Sequence, residues 1–149
     1  MINPATRSAV LLSALLLSST TLTVGQETKT QIKKAPITYT SPASGAEMFK
    51  SYCAVCHGAD AKGNGPATPG LKTPAPDLTA LAKRHDGKFP DAYVINVLRH
   101  GAAPIHGTAD MPVWGPLFGS LAPTNGQDSP EAKLRISNLT RYLESLQVK

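Results

Sequence analysis

Both cysteines of this 149-residue chain lie in the five-residue stretch CAVCH, residues 53–57. If the stretch is helical, residues three and four apart share a face, so Cys53, Cys56 and His57 would all project toward one object. A disulfide across so short an interval would close a trivial loop and add little stability through chain entropy. The spacing therefore indicates a chemical use for the thiols and the imidazole rather than a structural crosslink.

Short helices are predicted from capping residues and apolar spacing. They run from about Gly45 into CAVCH, from Leu78 to Arg84, through PDAYVINVLRHG with Pro90 in the first turn, and from Asp128-Ser129-Pro130-Glu131 onward. Asp77 is the candidate cap of the second helix. The last helix carries a single apolar stripe formed by Ile136, Leu139, Leu143 and Leu146. The segments 58–78 and 102–128 are rich in Gly and Pro and are expected to be loops.

These helices and loops predict an all-α domain that cannot fill its own core. A few short helices joined by loops longer than about 12 to 15 residues bury too little apolar surface by themselves. A large apolar cofactor would supply the missing core.

The chain divides into three expected regions. Residues 1–26 have the layout of a secretory signal, with a positive charge at Arg7, an apolar run over 9–17 and small polar residues after it. Residues 27–43 predict a flexible leader, and the folded domain is expected over 44–149. The protein is thus expected in the periplasm or otherwise exported, with no stable membrane span after signal cleavage. An uncleaved membrane tether is the alternative, although the apolar run falls short of the roughly 20 residues that a spanning helix needs.

The formal net charge of +5 is mild, and the lysines and arginines are scattered along the sequence. Nucleic-acid binding requires a basic stripe interleaved with aromatic residues, and this sequence has none. The charge therefore argues against a nucleic-acid partner and is compatible with weak steering toward an acidic protein.

A Cys-x-x-Cys-His stretch is the signature of covalent attachment of a c-type haem. Each thiol can add to a vinyl group of the porphyrin, while the adjacent imidazole reaches the iron from one side. A thioredoxin-like redox pair would expect a strand before Cys53, and no β-rich segment precedes it. A zinc site could use the two cysteines with two histidines, and that alternative stays open for His57, His85, His100 and His106.

A haem iron also needs a ligand on its other face, where a methionine thioether favours the reduced state. Met1 leaves with the signal and Met48 lies on the helix that leads into CAVCH, so Met111 is the candidate. It lies in a polar, proline-bounded loop, a poor place for the core filling that methionine usually provides. His100 and His106 are the rival ligands.

With these features the chain resembles the class I cytochromes c over roughly residues 44–147. In that family a glycine and an aromatic residue precede the first haem cysteine by eight and four residues, as Gly45 and Phe49 do here. An apolar and an aromatic residue of the last helix pack against them, and Leu139 and Tyr142 match this pair. The resemblance implies a cytochrome c-like fold of three to five short helices and long loops wrapped around one covalently bound haem.

The resemblance also implies supporting residues. In the family a Gly-rich loop ends in a proline whose carbonyl accepts a hydrogen bond from the haem-ligating histidine, and Gly63-Asn64-Gly65-Pro66 makes Pro66 the expected partner of His57. Trp114, in the pattern Met-Pro-x-Trp, would lie beside the haem edge near a propionate, with simple core packing as its alternative. Arg99 could offset a propionate charge, although an exposed arginine at a helix end is the favoured interpretation.

The implied function is that of an electron carrier and not of an enzyme. One haem c would be attached through Cys53 and Cys56, ligated by His57 and Met111, and would cycle between Fe(II) and Fe(III). Its partners would be redox proteins, with a dehydrogenase or cytochrome complex as donor and a terminal oxidase as acceptor. An open-iron enzyme or gas sensor and a zinc-stabilised module are the competing functions.

Overall fold

The computed structural model describes residues 37–102, 110–124 and 126–148. Regular structure within these ranges is helical, without strands, so the predicted all-α class is confirmed. The predicted signal, residues 1–26, and the first part of the predicted leader, residues 27–36, lie outside the described residues.

The described ranges contain five helices. Helix α1 comprises three consecutive stretches, Gly45–Met48, Phe49–Cys53 and Ala54–His57, of which the middle one has π-helical geometry. It is followed by α2 (Leu81–Arg84), α3 (Asp91–His100), α4 (Trp114–Ser120) and α5 (Pro130–Ser145), with a 3₁₀ turn at Thr68–Gly70. Throughout the part of the chain that is described, none of the helices has both the length and the apolar character needed to cross a membrane.

Helix α1 begins where the sequence predicts. The Ser44 hydroxyl accepts a hydrogen bond from the Glu47 backbone N–H at 3.1 Å, which satisfies one of the amides that a helix start leaves free. The helix ends at Gly58, whose φ of 78° suits a residue without a side chain. Its π-helical turn ends with two buried residues, Tyr52 and Cys53. Such turns are frequent at functional sites.

Helices α1 and α5 cross in close contact. A Cβ atom on Gly45 would lie 2.6 Å from the Cβ atom of Tyr142 and closer still to the carbonyl oxygen of Asn138. Beside this glycine the rings of Phe49 and Tyr142 pack with their centroids 5.5 Å apart, and Leu139 is fully buried. The predicted packing of the glycine and aromatic residue of one helix against the pair on the other is therefore confirmed.

Helix α5 also follows its prediction. The Ser129 hydroxyl accepts a hydrogen bond from the Ala132 backbone N–H at 3.2 Å, and Pro130 occupies the first turn, where its missing N–H is harmless. Leu146 is half-buried at the end of the predicted stripe. The other members of the stripe are buried in the core: Ile136, Leu139 and Leu143.

Helix α3 ends at Gly101 as predicted, with a φ of 87° at this glycine. Pro90, predicted in its first turn, instead directly precedes the first helical residue, Asp91. Helix α2, in contrast, begins at Leu81 and not at Leu78. The Asp77 carboxylate accepts hydrogen bonds from the backbone N–H and the hydroxyl of Thr79, at 2.8 Å and 2.7 Å. Asp77 therefore holds a turn that precedes the helix and does not cap the helix itself.

Helix α4 forms in a segment that the sequence predicts as loop. Pro116 is tolerated because it lies in the first helical turn, where its missing N–H has no partner to lose. Gly115 is required by packing, since a Cβ atom there would lie 2.6 Å from the carbonyl oxygen of Arg99 at the end of α3.

The packed domain extends before residue 44. Thr40 is buried, its hydroxyl lies 2.8 Å from the hydroxyl of Tyr52, and Asn138 donates a side-chain hydrogen bond to the Pro42 carbonyl at 2.9 Å. Residues 37–43, predicted as part of a flexible leader, are thus held against the helices by polar side chains of the domain.

Candidate functional site

A cavity of about 450 Å³, lined mainly by apolar side chains, lies between the helices. All five helices contribute to its walls, together with the proline-rich loop at residues 71–78 and the segment 110–112 before α4. This volume is typical of sites that hold an organic molecule. The helices therefore enclose a space of the kind expected when a cofactor completes the core.

Helix α1 presents the CAVCH side chains to this cavity. Cys53, Cys56 and His57 all line it, and Cys53 and His57 are only 9% and 7% exposed. The common face predicted from their spacing is confirmed. Both cysteines are free thiols.

The surroundings of the two thiols disfavour their ionisation. Burial, with a smaller contribution from Cys56, raises the pKa of Cys53 to about 12. Burial and then the charge of Asp110 raise the pKa of Cys56. A thioredoxin-like nucleophile needs a lowered thiol pKa. The raised pKa values of the two cysteines therefore argue against a thioredoxin-like redox pair.

The described ranges contain no cluster of side chains suited to bind zinc. There, no three side chains of His, Cys, Asp or Glu converge on a point where a metal ion could bind. His106, one of the histidines considered for zinc, lies outside the described residues.

A backbone carbonyl fixes the orientation of the His57 ring. Its Nδ1 atom lies 3.1 Å from the carbonyl oxygen of Pro76, so Nδ1 carries the proton and donates it. Burial lowers the pKa of His57 and outweighs the opposite effect of this hydrogen bond, which keeps the imidazole neutral at pH 7. The lone pair of Nε2 is thereby left free to bind a metal ion, the usual arrangement for a ligating histidine.

The prediction that Pro66 supplies this carbonyl is wrong. Pro66 is exposed, because the glycine-rich turn before it folds back on α1, where Gly63 donates its backbone N–H to the His57 carbonyl at 2.7 Å. A Cβ atom on Gly63 would collide with the carbonyl oxygen of Ala75. The proline-rich loop thus passes directly over the glycine and brings Pro76 to the imidazole.

Met111 lines the same cavity from the segment before α4. Its neighbour Asp110 accepts a hydrogen bond from the Lys72 backbone N–H at 3.0 Å, which ties this segment to the proline-rich loop. Of the rival ligands, His100 is exposed and does not line the cavity, and His106 lies outside the described residues.

Trp114 packs in the core and also lies at the cavity. It is 6% exposed, packs on Phe118 with ring centroids 5.4 Å apart, and also lines the cavity. Its position near a haem propionate stays a prediction. Arg99 is half-buried and does not line the cavity, and its buried Nε atom has no hydrogen-bond partner.

Sequence reasoning missed Tyr52 and Pro76 as residues of the site. Tyr52 lines the cavity and packs on Trp114 with ring centroids 5.6 Å apart. Its position directly before Cys53 and four residues before Cys56, on the face of α1 that carries the motif, was the signal that could have identified it. Pro76 gave no comparable signal, because its carbonyl reaches His57 across 19 residues of irregular chain.

The residues that line the cavity fit a haem c. Helix α1 offers two protonated thiols and a neutral imidazole with a free Nε2, a second segment offers a thioether, and the remaining wall is largely apolar. These are the groups that thioether attachment and axial ligation of a haem iron use.

The family model described as "Cytochrome C oxidase, cbb3-type, subunit III" matches residues 40–121, more than half of the 149 residues. The matched range includes CAVCH, the proline-rich loop and the segment with Met111, and it ends before α5. Neither a curated protein nor a solved structure matches the chain in the corresponding comparisons.

Proposed function

The chain belongs to the cytochrome c oxidase, cbb3-type, subunit III family of haem-binding electron-transfer domains, and on this premise we propose that it carries electrons through a single, covalently attached haem c. Its all-α fold is cytochrome c-like. When bound, haem supplies a one-electron couple between ferrous and ferric iron.

The proposed roles follow from the placement of four side chains. The thiols of Cys53 and Cys56 would each add across a vinyl group of the haem, the sulfur bonding one vinyl carbon and the thiol proton going to the other. His57 would ligate the iron through Nε2, with Pro76 holding its ring, and Met111 would provide the sulfur ligand. Both cysteines are free thiols, as this attachment requires.

The observation that carries the proposal is the arrangement on α1. Two free thiols and a carbonyl-anchored, neutral imidazole share one face and line one wall of a largely apolar cavity of about 450 Å³. Two strong axial ligands in both oxidation states would keep the rearrangement on electron transfer small. The apolar wall would exclude water from the iron.

The test is the mass of the intact protein after expression in a host that attaches haem to Cys-x-x-Cys-His stretches. The expected product is one haem heavier than its amino acids, and its haem stain survives denaturing electrophoresis. Cys53→Ser and Cys56→Ser should each leave at most one thioether, whereas Ser51→Ala, which changes an exposed residue of the same helix, should leave the attachment intact. A colourless product of unmodified mass would exclude the proposal.

The proposed setting is the periplasm or another exported compartment, in which residues 1–26 act as the secretory signal. The proposed partners are a donor such as a dehydrogenase or cytochrome complex and an acceptor such as a terminal oxidase. Cell fractionation with N-terminal sequencing tests the location and the cleavage. An intact N-terminus on membrane-bound protein would instead favour the tethered form.

A further inference from the structure

Arg135 is an arginine in the core of the domain. It lies on α5 beside the apolar stripe and is 0% exposed. Its guanidinium contacts Glu131 at 2.9 Å and the hydroxyl of Thr40 at 3.2 Å, and it lies 4.8 Å from the ring centroid of Tyr39. Its Nε atom has no hydrogen-bond partner. Since an arginine stays charged at any physiological pH, this is a positive charge held inside the protein.

The hydrogen bonds that leave Arg135 have one possible direction. The Tyr52 hydroxyl contacts both the Thr40 hydroxyl, at 2.8 Å, and the carbonyl oxygen of Thr38. A carbonyl can only accept, so the single phenolic proton goes to Thr38, and Thr40 must donate to Tyr52. Thr40 in turn accepts from Arg135. The donors therefore run from the guanidinium through Thr40 to Tyr52 and end at the backbone.

This chain of hydrogen bonds includes a residue of the cavity wall. Tyr52 lines the cavity wall and directly precedes Cys53. The ion pair of Arg135 and Glu131, at the opposite end of these hydrogen bonds, is unevenly exposed to solvent. The side chain of Arg135 is 0% exposed and that of Glu131 is 20% exposed. Solvent screens the carboxylate more than the guanidinium, so the pair leaves a net positive potential in the interior.

We propose that Arg135 is a positioning residue which, through Thr40 and Tyr52, favours the ferrous form of the bound haem and raises its reduction potential. Ferric haem carries one more positive charge than ferrous haem, so a positive potential at the cavity wall disfavours oxidation. The inference rests on the proposed function and concerns how the same site is tuned.

The test compares the reduction potential of the purified, haem-loaded protein with those of two variants, one that removes the positive charge and one that removes the negative charge. Arg135→Met keeps most of the buried volume and removes the positive charge, so the potential should fall and the ferrous-to-ferric ratio at a fixed ambient potential should drop several-fold. Glu131→Gln retains an acceptor for Arg135 and removes the negative charge, so the potential should rise. Potentials that stay unchanged, or that shift in the same direction, would overturn the proposal.

Two further variants test the route through the hydroxyls. Thr40→Val and Tyr52→Phe preserve side-chain shape and each break the chain of hydrogen bonds, so both should lower the potential. Adding Thr40→Val to Arg135→Met should produce a smaller further shift than it does alone, as coupled residues require. A Thr40→Val variant with the parent's potential would contradict the proposal, even if Arg135→Met failed to fold.

Arg141→Met is the matched control, because Arg141 lies on the same helix but is exposed, and it should leave the potential unchanged. Denaturant unfolding of both oxidation states distinguishes an effect on the reduction potential from a purely structural role. Arg135→Met should lower the free energy of unfolding of the ferrous protein more than that of the ferric protein. A purely structural residue would lower both free energies equally. A parent protein without haem defeats the proposed function and this inference together. A haem-loaded parent whose potential is insensitive to Arg135 defeats this inference alone.

Discussion

At the scale of single residues, His57 illustrates how backbone geometry selects the atom that is free to bind a metal. The Pro76 carbonyl occupies Nδ1 at 3.1 Å, so Nε2 is the nitrogen that retains a lone pair. The proline cannot donate a hydrogen bond of its own, and its fixed φ limits the paths that the loop can take. The ligand function proposed for His57 therefore depends on a residue with no reactive side chain.

Met111→Leu should remove the sulfur ligand while preserving side-chain volume. Haem should stay attached, the reduction potential should fall by on the order of 100 mV within the roughly 0.8 V range that axial ligands span, and the ferrous protein should bind carbon monoxide at neutral pH. The near-infrared sulfur-to-iron band of the ferric form should disappear. Met48→Leu is the control, since Met48 is buried in the core away from the cavity and its variant should keep the band.

Asp77 should make the stability of the domain depend on pH in the acidic range. The hydrogen bond from the Thr79 hydroxyl is the largest cause that lowers the pKa of Asp77. A carboxyl whose pKa is lower in the folded state stabilises the fold above its unfolded pKa of about 3.9, and that contribution is lost as the pH falls through the lower, folded value.

Asp77→Asn should therefore be less stable than the parent in urea at pH 7, and the difference should shrink as the pH is lowered toward 2. Thr79→Val, which removes the hydroxyl donor and keeps the backbone donor, should reduce the pH dependence without abolishing it. Unfolding midpoints measured at several pH values check both expectations. A difference that is the same at pH 7 and pH 2 would contradict the assignment.

At the scale of helices, the close crossing of α1 and α5 determines whether a substitution at Gly45 stabilises or destabilises the protein. Helix propensity alone would predict the wrong direction. Gly45→Ala should improve helix propensity by about 1 kcal/mol. The added Cβ atom, however, would lie 2.6 Å from Tyr142 Cβ and closer to the Asn138 carbonyl. Overpacking of this kind costs about 1 to 3 kcal/mol, so the free energy of unfolding should fall.

Denaturant unfolding of the haem-loaded protein measures this effect. Ala46→Ser changes the exposed neighbour of Gly45 on the same helix and should alter the free energy of unfolding by no more than about 0.5 kcal/mol. A Gly45→Ala variant more stable than its parent would mean that the helices do not cross as closely as the structure places them.

Sequence reasoning succeeded where the interaction is local or periodic. The start of α1 beside Ser44, the start of α5 within residues 128–131 and the apolar stripe of α5 each depend on residues close together in the sequence. Helix α4 was missed because its Gly115 and Pro116 count against a helix locally, whereas the close approach to the end of α3 that requires a glycine is visible only in three dimensions.

The buried charge of Arg135 was missed for a related reason. On α5 it adjoins Ile136, and an arginine at the border of an apolar stripe is normally solvated. Its burial depends on Thr40 and Tyr39, which lie in a segment that the sequence predicted as a flexible leader. An interaction across 95 residues leaves no periodic pattern in the sequence.

At the scale of the whole molecule, Gln147, just after α5, ties that helix to segments that line the cavity. The Gln147 side chain accepts a hydrogen bond from the Ala82 backbone N–H at 2.8 Å and donates to the carbonyls of Leu78 and Leu143 at 2.8 Å and 2.7 Å. It thereby joins α5 to α2 and to the end of the proline-rich loop. Because Leu78 lines the cavity, this single amide couples the last helix to the surroundings of the cofactor.

Gln147→Ala should remove three hydrogen bonds and leave the Ala82 N–H and the Leu78 carbonyl without their side-chain partner, which lowers the free energy of unfolding by about 2 to 4 kcal/mol. The loss should be larger in the haem-loaded protein than in protein that lacks haem, because Leu78, whose carbonyl Gln147 holds, lines the cavity that the haem would fill. Val148→Ala is the control, since Val148 is 51% exposed and its contact with Thr79 uses the backbone N–H. Equal losses in loaded and haem-free protein would mean that Gln147 stabilises the fold without supporting the cofactor site.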